Sequence, residues 1–149
     1  MNKLLAVALI ATFSSTSWAQ KVSNQAFEIL DKNRDGFLSK QEVAGDKELA
    51  KRFAKFDADK DGRMNVDEFI KANEDNDKRI ASDSAITTKV KTKFLTEKGI
   101  PSMAISVETY EGIVQLTGTV ENKDQVANAG KLAAGVPGVK KIDNKLAAK

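Results

Sequence analysis

The side chains best suited to chemistry lie in two stretches of twelve residues, Asp31–Glu42 and Asp57–Glu68. The first carries oxygen-bearing side chains at its positions 1, 3, 5, 9 and 12, namely Asp31, Asn33, Asp35, Ser39 and Glu42. The second carries Asp57, Asp59, Asp61, Asn65 and Glu68 at the same positions. Short side chains on alternate residues converge on one point if the backbone curls around it. Gly36 and Gly62, at position 6, allow that curl because glycine adopts positive φ without a Cβ clash. The longer glutamate at position 12 can reach back and offer both oxygens. Hard oxygens in this number suit Ca2+, which takes six to eight ligands at roughly 2.3–2.6 Å, whereas Mg2+ demands a tighter octahedron. The backbone carbonyls of Phe37 and Arg63, at position 7, are expected to complete the spheres, with Ser39 and Asn65 acting through water. Two Ca2+ sites are therefore expected. Loop 1 supplies three formal charges (Asp31, Asp35, Glu42) and loop 2 four (Asp57, Asp59, Asp61, Glu68), which favours loop 2.

Both loops resemble the EF-hand at every ligand position. The elements that must hold them can be read alongside. Residues 24–30 suggest a short helix capped by Ser23, with Phe27 and Leu30 on one side. Lys47–Phe56 suggests another, capped by Asp46, with Leu49, Phe53 and Phe56 at i, i+4 and i+7. Phe69 and Ile70 begin the helix after the second loop. Leu38 and Met64, at position 8, occupy the place where paired EF-hands form a short strand bridge. The loops start only 26 residues apart, and Gly45 limits the first exiting helix to about one turn. This compact spacing is similar to some bacterial EF-hand and dockerin-type proteins. With one helix so short and only three Met, a calmodulin-like opening onto an apolar groove is not expected.

Composition removes several function classes. With 149 residues the chain can hold one average domain or two small ones. It has no Cys and no His, which excludes disulfides, thiolate metal sites and the commonest acid–base side chain. No nucleophile–base pair stands out, so an enzyme is not expected. A formal charge of +3 is too small to imply nucleic acid. Its distribution is uneven: residues 20–79 carry 13 basic and 14 acidic side chains, and residues 80–149 carry 10 and 7. A weakly acidic half joined to a basic half suggests two jobs.

At the amino terminus, Lys3, the apolar run Leu4–Phe13 and the small residues around Ser17-Trp18-Ala19 resemble a secretory signal cleaved near Ala19. The run is too short to span a bilayer of about 30 Å hydrocarbon thickness, so no transmembrane span is expected in the mature chain. The periplasm is the expected destination. The division expected is a signal over 1–19, the ion-binding pair over 20–72, a solvated linker over 73–82 and a second domain over 83–149. Asp75 and Asp77 do not extend to a third loop, since no glycine or position-12 glutamate follows them.

The second half changes period. Asp83 can cap a helix running to about Lys98, with Ile86, Val90 and Phe94 on one face, stopped by Gly99 and Pro101. Ile105–Tyr110 and Ile113–Val120 alternate as strands about a Glu111-Gly112 turn. Lys123–Ala134 reads as a helix burying Val126, Ala129 and Leu132 or their neighbours, and Val139–Leu146 as a third strand. The order α-β-β-α-β predicts a two-layer sandwich, and the whole chain an α+β class. Asp83-Ser-Ala-Ile-Thr, Gly112–Val120 (Gly-Ile-Val-Gln-Leu-Thr-Gly-Thr-Val) and Val136–Asn144 (Val-Pro-Gly-Val-Lys-Lys-Ile-Asp-Asn) resemble the BON domain. That resemblance implies a cell-envelope module, commonly periplasmic, linked to phospholipid binding or membrane integrity; a part in the stress response is also expected. Lys89 and Lys93, i and i+4 neighbours beside Lys91, are candidate contacts for anionic headgroups. A solvated helix face accounts for the same spacing. Tyr110, beside the turn, marks either a binding edge or an aromatic covering the sheet. The combined reading is an exported calcium-binding protein whose BON domain associates with anionic phospholipid or an envelope protein. The alternative is a calcium buffer, or a calcium-stabilised interaction module, without lipid binding.

Overall fold

The computed structural model describes residues 24–149. The expected export signal (1–19) and the Ser23 cap lie outside the described residues. Two units divide the chain between Asn73 and Glu74.

In the first unit, helix α1 covers residues 24–30 and leads into loop 1. A two-residue strand β1 (Leu38–Ser39) is followed by α2 (Lys40–Val43) and α3 (Lys47–Phe56). Strand β2 (Arg63–Met64) then precedes α4 (Val66–Thr96). Four residues cannot sustain a helix by themselves. α2 is held by a reciprocal cap between Ser39 and Glu42 and by the burial of Val43. The Asp46 side chain accepts the N–H of Glu48 and of Leu49, both at 3.0 Å, and so starts α3 where its cap predicts. The apolar face of α3 meets Phe27, Leu38, Met64 and Phe69 in one core, where Phe27 sets its edge on Phe69 at 5.6 Å. Leu38 pairs with Met64 in an antiparallel bridge, and both are fully buried.

The second unit holds the rest of α4, a 3-10 turn (Ser102–Ala104), β3 (Ile105–Tyr110), β4 (Ile113–Val120), α5 (Lys123–Ala134) and β5 (Lys141–Ala148). The sheet order is β3-β4-β5, with β3 antiparallel and β5 parallel to β4. A parallel return needs a crossover, which α5 supplies. Alternate residues of the strands (Val107, Val114, Leu116, Leu146) pack with Val90 and Phe94 of α4 and Ala129 and Ala133 of α5. Asn144, on the alternating pattern of β5, donates from Nδ2 to the Val126 carbonyl at 2.9 Å, tying the strand to α5. Gly118 is required by contact as well as by φ (+131°), because a Cβ there would lie 2.0 Å from the Ala104 carbonyl oxygen.

This is the α+β arrangement expected, with three differences. The polar stretch 71–82, read as a linker over 73–82, is helical throughout. It contains no glycine or proline to break a helix. Glu74 lies 4.0 Å from Lys78 and Arg79 3.1 Å from Asp83, each an i, i+4 pair. Asp83 is consequently not a helix cap but a buried residue inside α4. Its Oδ2 accepts the Glu111 N–H and its Oδ1 the Gly112 N–H, each at 2.9 Å. Finally, β5 begins at Lys141 rather than Val139, because the Val139 N–H turns back to the Val136 carbonyl at 3.2 Å.

Candidate metal centre

The two loops are built alike from the backbone up. At position 4, Arg34 and Lys60 share a φ of 60°, and at position 6, Gly36 and Gly62 share 81°. These left-handed steps wind the chain so that side chains at positions 1, 3 and 5 face inward. Asp31 Oδ2 accepts the Gly36 N–H at 3.0 Å, and Asp57 Oδ2 accepts the Gly62 N–H at 3.2 Å. Asp35 Oδ1 takes the Phe37 N–H at 2.9 Å, and Asp61 Oδ1 the Arg63 N–H at 2.7 Å.

The position-12 glutamates close each loop. Glu42 accepts the N–H of Lys32 at 3.0 Å and of Ser39 at 2.8 Å, one on each carboxylate oxygen. Glu68 repeats this with the N–H of Ala58 and of Asn65, both at 2.9 Å. Glu42 also accepts the Ser39 hydroxyl at 2.7 Å. The Ser39 N–H, followed by its hydroxyl, holds the Glu42 carboxyl below the ordinary carboxylate range, against partial desolvation and with help from the Asn33 and Lys32 N–H groups. At position 9, Asn65 Oδ1 accepts the N–H of Asp67 and Glu68 at the start of α4.

The loops differ in their acceptors. In loop 2, Asp57, Asp59 and Asp61 bring carboxylate oxygens within 4.8 Å of one another. Asp57 Oδ1 is buried and has no hydrogen-bond partner among the described residues. A buried carboxylate oxygen without a donor is costly, and a cation at the convergence point would satisfy it. In loop 1 the position-3 residue is Asn33, whose Nδ2 donates to Asp35 Oδ2 at 3.1 Å and whose Oδ1 accepts the Asp35 N–H at 3.0 Å. The donor set, all oxygen with short carboxylates, fits Ca2+ in loop 2, and the same fold repeats it in loop 1 with one charge fewer.

Residues 20–74 match the EF-hand domain pair, and residues 82–149 match the BON domain. The chain is an EF-hand pair followed by a BON domain. An EF-hand pair implies calcium binding. Osmotically-inducible protein Y of Escherichia coli (strain K12) is 41% identical over 78 residues, covering 52% of this chain and 39% of that protein. An uncharacterized protein in the gshII 5′ region of Anaplasma centrale is 31% identical over 65 residues, covering 44% of this chain and 43% of that protein. The chain spans about two fifths of the length of these relatives (39% and 43%).

Within the EF-hand pair, one contact escapes sequence reading. The Arg63 guanidinium lies 5.1 Å from the centre of the Phe37 ring, so the two position-7 side chains touch across the strand bridge. In the BON domain, Lys89 is exposed on α4 and Lys93 is half-buried. Neither has an ion-pair partner among the described residues. Lys93 Nζ sits 3.2 Å from where a Cβ on Gly135 would stand, beside the carboxyl end of α5, a favourable place for a cation. Tyr110 is partly exposed and lies under the Arg79 guanidinium at 4.7 Å.

Proposed function

We propose that the protein is an exported calcium-binding component of the cell envelope. Each loop takes one Ca2+, and the BON domain associates with anionic phospholipid or an envelope partner. The observation that carries the calcium part is the unpartnered Asp57 Oδ1 beside the converging carboxylates of Asp59 and Asp61. Asp57, Asp59, Asp61 and Glu68, with the Arg63 carbonyl and Asn65, would hold the ion in loop 2. Asp31, Asn33, Asp35 and Glu42, with the Phe37 carbonyl and Ser39, would hold it in loop 1. When bound, the ion supplies positive charge that cancels the repulsion of the clustered carboxylates. The chain's own contribution is to fix those oxygens by backbone N–H bonds before the ion arrives.

Calcium on this reading orders the pair rather than opening it. Phe27, Leu38, Phe53, Met64 and Phe69 are all buried in the first unit, at 6% exposure or less, so their apolar surface is spent on its own core. The lipid part draws on the BON match, on the unpaired Lys89 and Lys93, and on the likeness to a protein named as osmotically inducible. The expected periplasmic location and the absence of enzymatic activity belong to the same reading.

Co-sedimentation of the purified protein with phosphatidylglycerol-containing liposomes, in Ca2+, Mg2+ or chelator, tests it. Pelleting with these liposomes and not with neutral ones supports the lipid part, and calcium dependence joins the two halves into one mechanism. No pelleting in any condition would leave a soluble calcium protein and end the lipid reading.

A further inference from the structure

Strand β5, eight residues long, forms one edge of the three-stranded sheet, and no strand lies beyond it among the described residues. Its backbone groups alternate in direction. The Lys149 N–H, just past the strand, donates inward to the Val120 carbonyl at 3.0 Å. The Leu146 N–H donates instead to the Asn144 side chain, at Oδ1, 3.2 Å away. Odd-numbered residues of β5 therefore bond to β4, and Ile142, Asn144 and Leu146 turn their backbone groups off the sheet edge. Side chains alternate as well. Ile142 and Leu146 pack on the helix-covered core, so Lys141, Asp143 and Lys145 share the open face. Lys145 Nζ meets Asp143 Oδ2 at 2.9 Å, an exposed pair that contributes little within one chain. A free edge of this length is a template for another strand.

We propose that β5 pairs antiparallel with β5 of a second copy of the chain, about a two-fold axis at Asn144, joining two sheets into one. Charge complementarity selects the occupant. Residues that face each other across such an axis must share a sheet face, so the axis passes through a residue and not between two. Centred on Asn144, it sets Asp143 against the partner's Lys145 and Ile142 against the partner's Leu146, each twice. Asp143 then lies between its own lysine and the partner's Lys145. Centred on Asp143, it would set that carboxylate against the partner's Asp143, and Lys141 against the partner's Lys145. Centred on Lys145, it would oppose two pairs of lysines in the same way. Like charges directly opposite are destabilising, so one register stands out. The other edge, β3, offers no such match: an axis at Val107 sets Ser106 against the partner's Glu108, and an axis at Glu108 opposes two glutamates. On pairing, the Leu146 N–H exchanges Asn144 Oδ1 for the partner's Ile142 carbonyl.

Sedimentation equilibrium of the whole protein, from micromolar to millimolar concentration, tests this. A monomer–dimer equilibrium is expected. D143K and K145D each place like charges opposite each other twice and should weaken it about tenfold. D143K/K145D restores the opposite pairs and should return it to within about threefold of the parent. All three changes lie on the open face and should leave the circular dichroism spectrum unchanged. Register is read by cross-linking, which the absence of Cys from the chain makes clean. An equimolar mixture of D143C and K145C, oxidised with diamide, should give the mixed disulfide above its statistical share. Directly opposed residues that do not bond through the backbone stand about 4.5 Å apart at Cα, within disulfide reach. A monomer at every concentration would overturn the proposal. So would a double variant as weak as the single ones, or disulfides in statistical proportion.

Discussion

Asp83 Oδ1 accepts the N–H of Gly112 at 2.9 Å across 29 positions of sequence, and this bond fixes the β3–β4 turn to α4. The second oxygen holds the N–H of Glu111, a non-glycine residue at φ 52°, and receives Arg79 Nη1 at 3.1 Å. Both oxygens are thus used, on a residue 6% exposed. Replacing Asp83 by Ala leaves two backbone donors and a guanidinium without their acceptor, and should cost about 3–5 kcal/mol. Denaturant unfolding of the BON domain reads this directly. Glu74→Ala, removing a 4.0 Å pair between exposed side chains, should change stability by no more than about 0.5 kcal/mol. Equal effects of the two substitutions would remove Asp83 from its structural role.

Gly118 sits where β4 passes the Ala104 carbonyl. Gly118→Ala would force a Cβ to within 2.0 Å of that oxygen at a φ of +131°, and the backbone at both places must move. A loss of at least about 3 kcal/mol is expected, at the upper end of ordinary backbone strain. Gly45→Ala, which meets nothing within 4 Å, is the control and should be near neutral. A well-folded Gly118→Ala protein with unchanged melting temperature would contradict the contact.

The Arg63–Phe37 stack and the Leu38–Met64 bridge are the contacts through which one loop can sense the other. Arg63→Ala keeps the position-7 carbonyl but removes the stack, worth about 0.5–1 kcal/mol at an exposed site. Stepwise calcium binding, followed by competition with a chromophoric chelator, should show the coupling between the loops weakened by about two- to fivefold. Unchanged coupling would leave the bridge alone as the link.

Much of this was legible in the sequence because it rests on local rules. Position spacing set the loops, Asp46 announced α3 through its cap, and Val114, Leu116 and Val120 betrayed β4 by alternation. What escaped depends on long-range partners. Asp83 looks like a cap because Asp before an apolar period is a cap signal, and only the fold brings Glu111 and Gly112 to its carboxylate. The stretch 71–82 looks like a linker because nothing in it demands burial, yet helix needs no core face where i, i+4 pairs and neighbouring turns support it. Thr88 and Thr96 read as polar until their hydroxyls are seen to bond carbonyls of their own helix. At the loops, the residue types and their spacing were readable, but the orphaned Asp57 Oδ1 that separates loop 2 from loop 1 was not.

Calorimetric titration of the purified protein with Ca2+ tests the central claim most directly, with Glu42→Gln, Glu68→Gln and the double variant alongside. Two ions per chain are expected, the tighter one lost in Glu68→Gln and both lost in the double variant. Each single loss should exceed the roughly 10–100-fold that removal of an outer-shell partner costs. At a free calcium concentration one hundred times the dissociation constant, binding should stabilise the EF-hand pair by about 2.7 kcal/mol per site over the chelated protein. No heat of binding in the parent protein, or two ions retained in the double variant, would contradict the assignment of both loops.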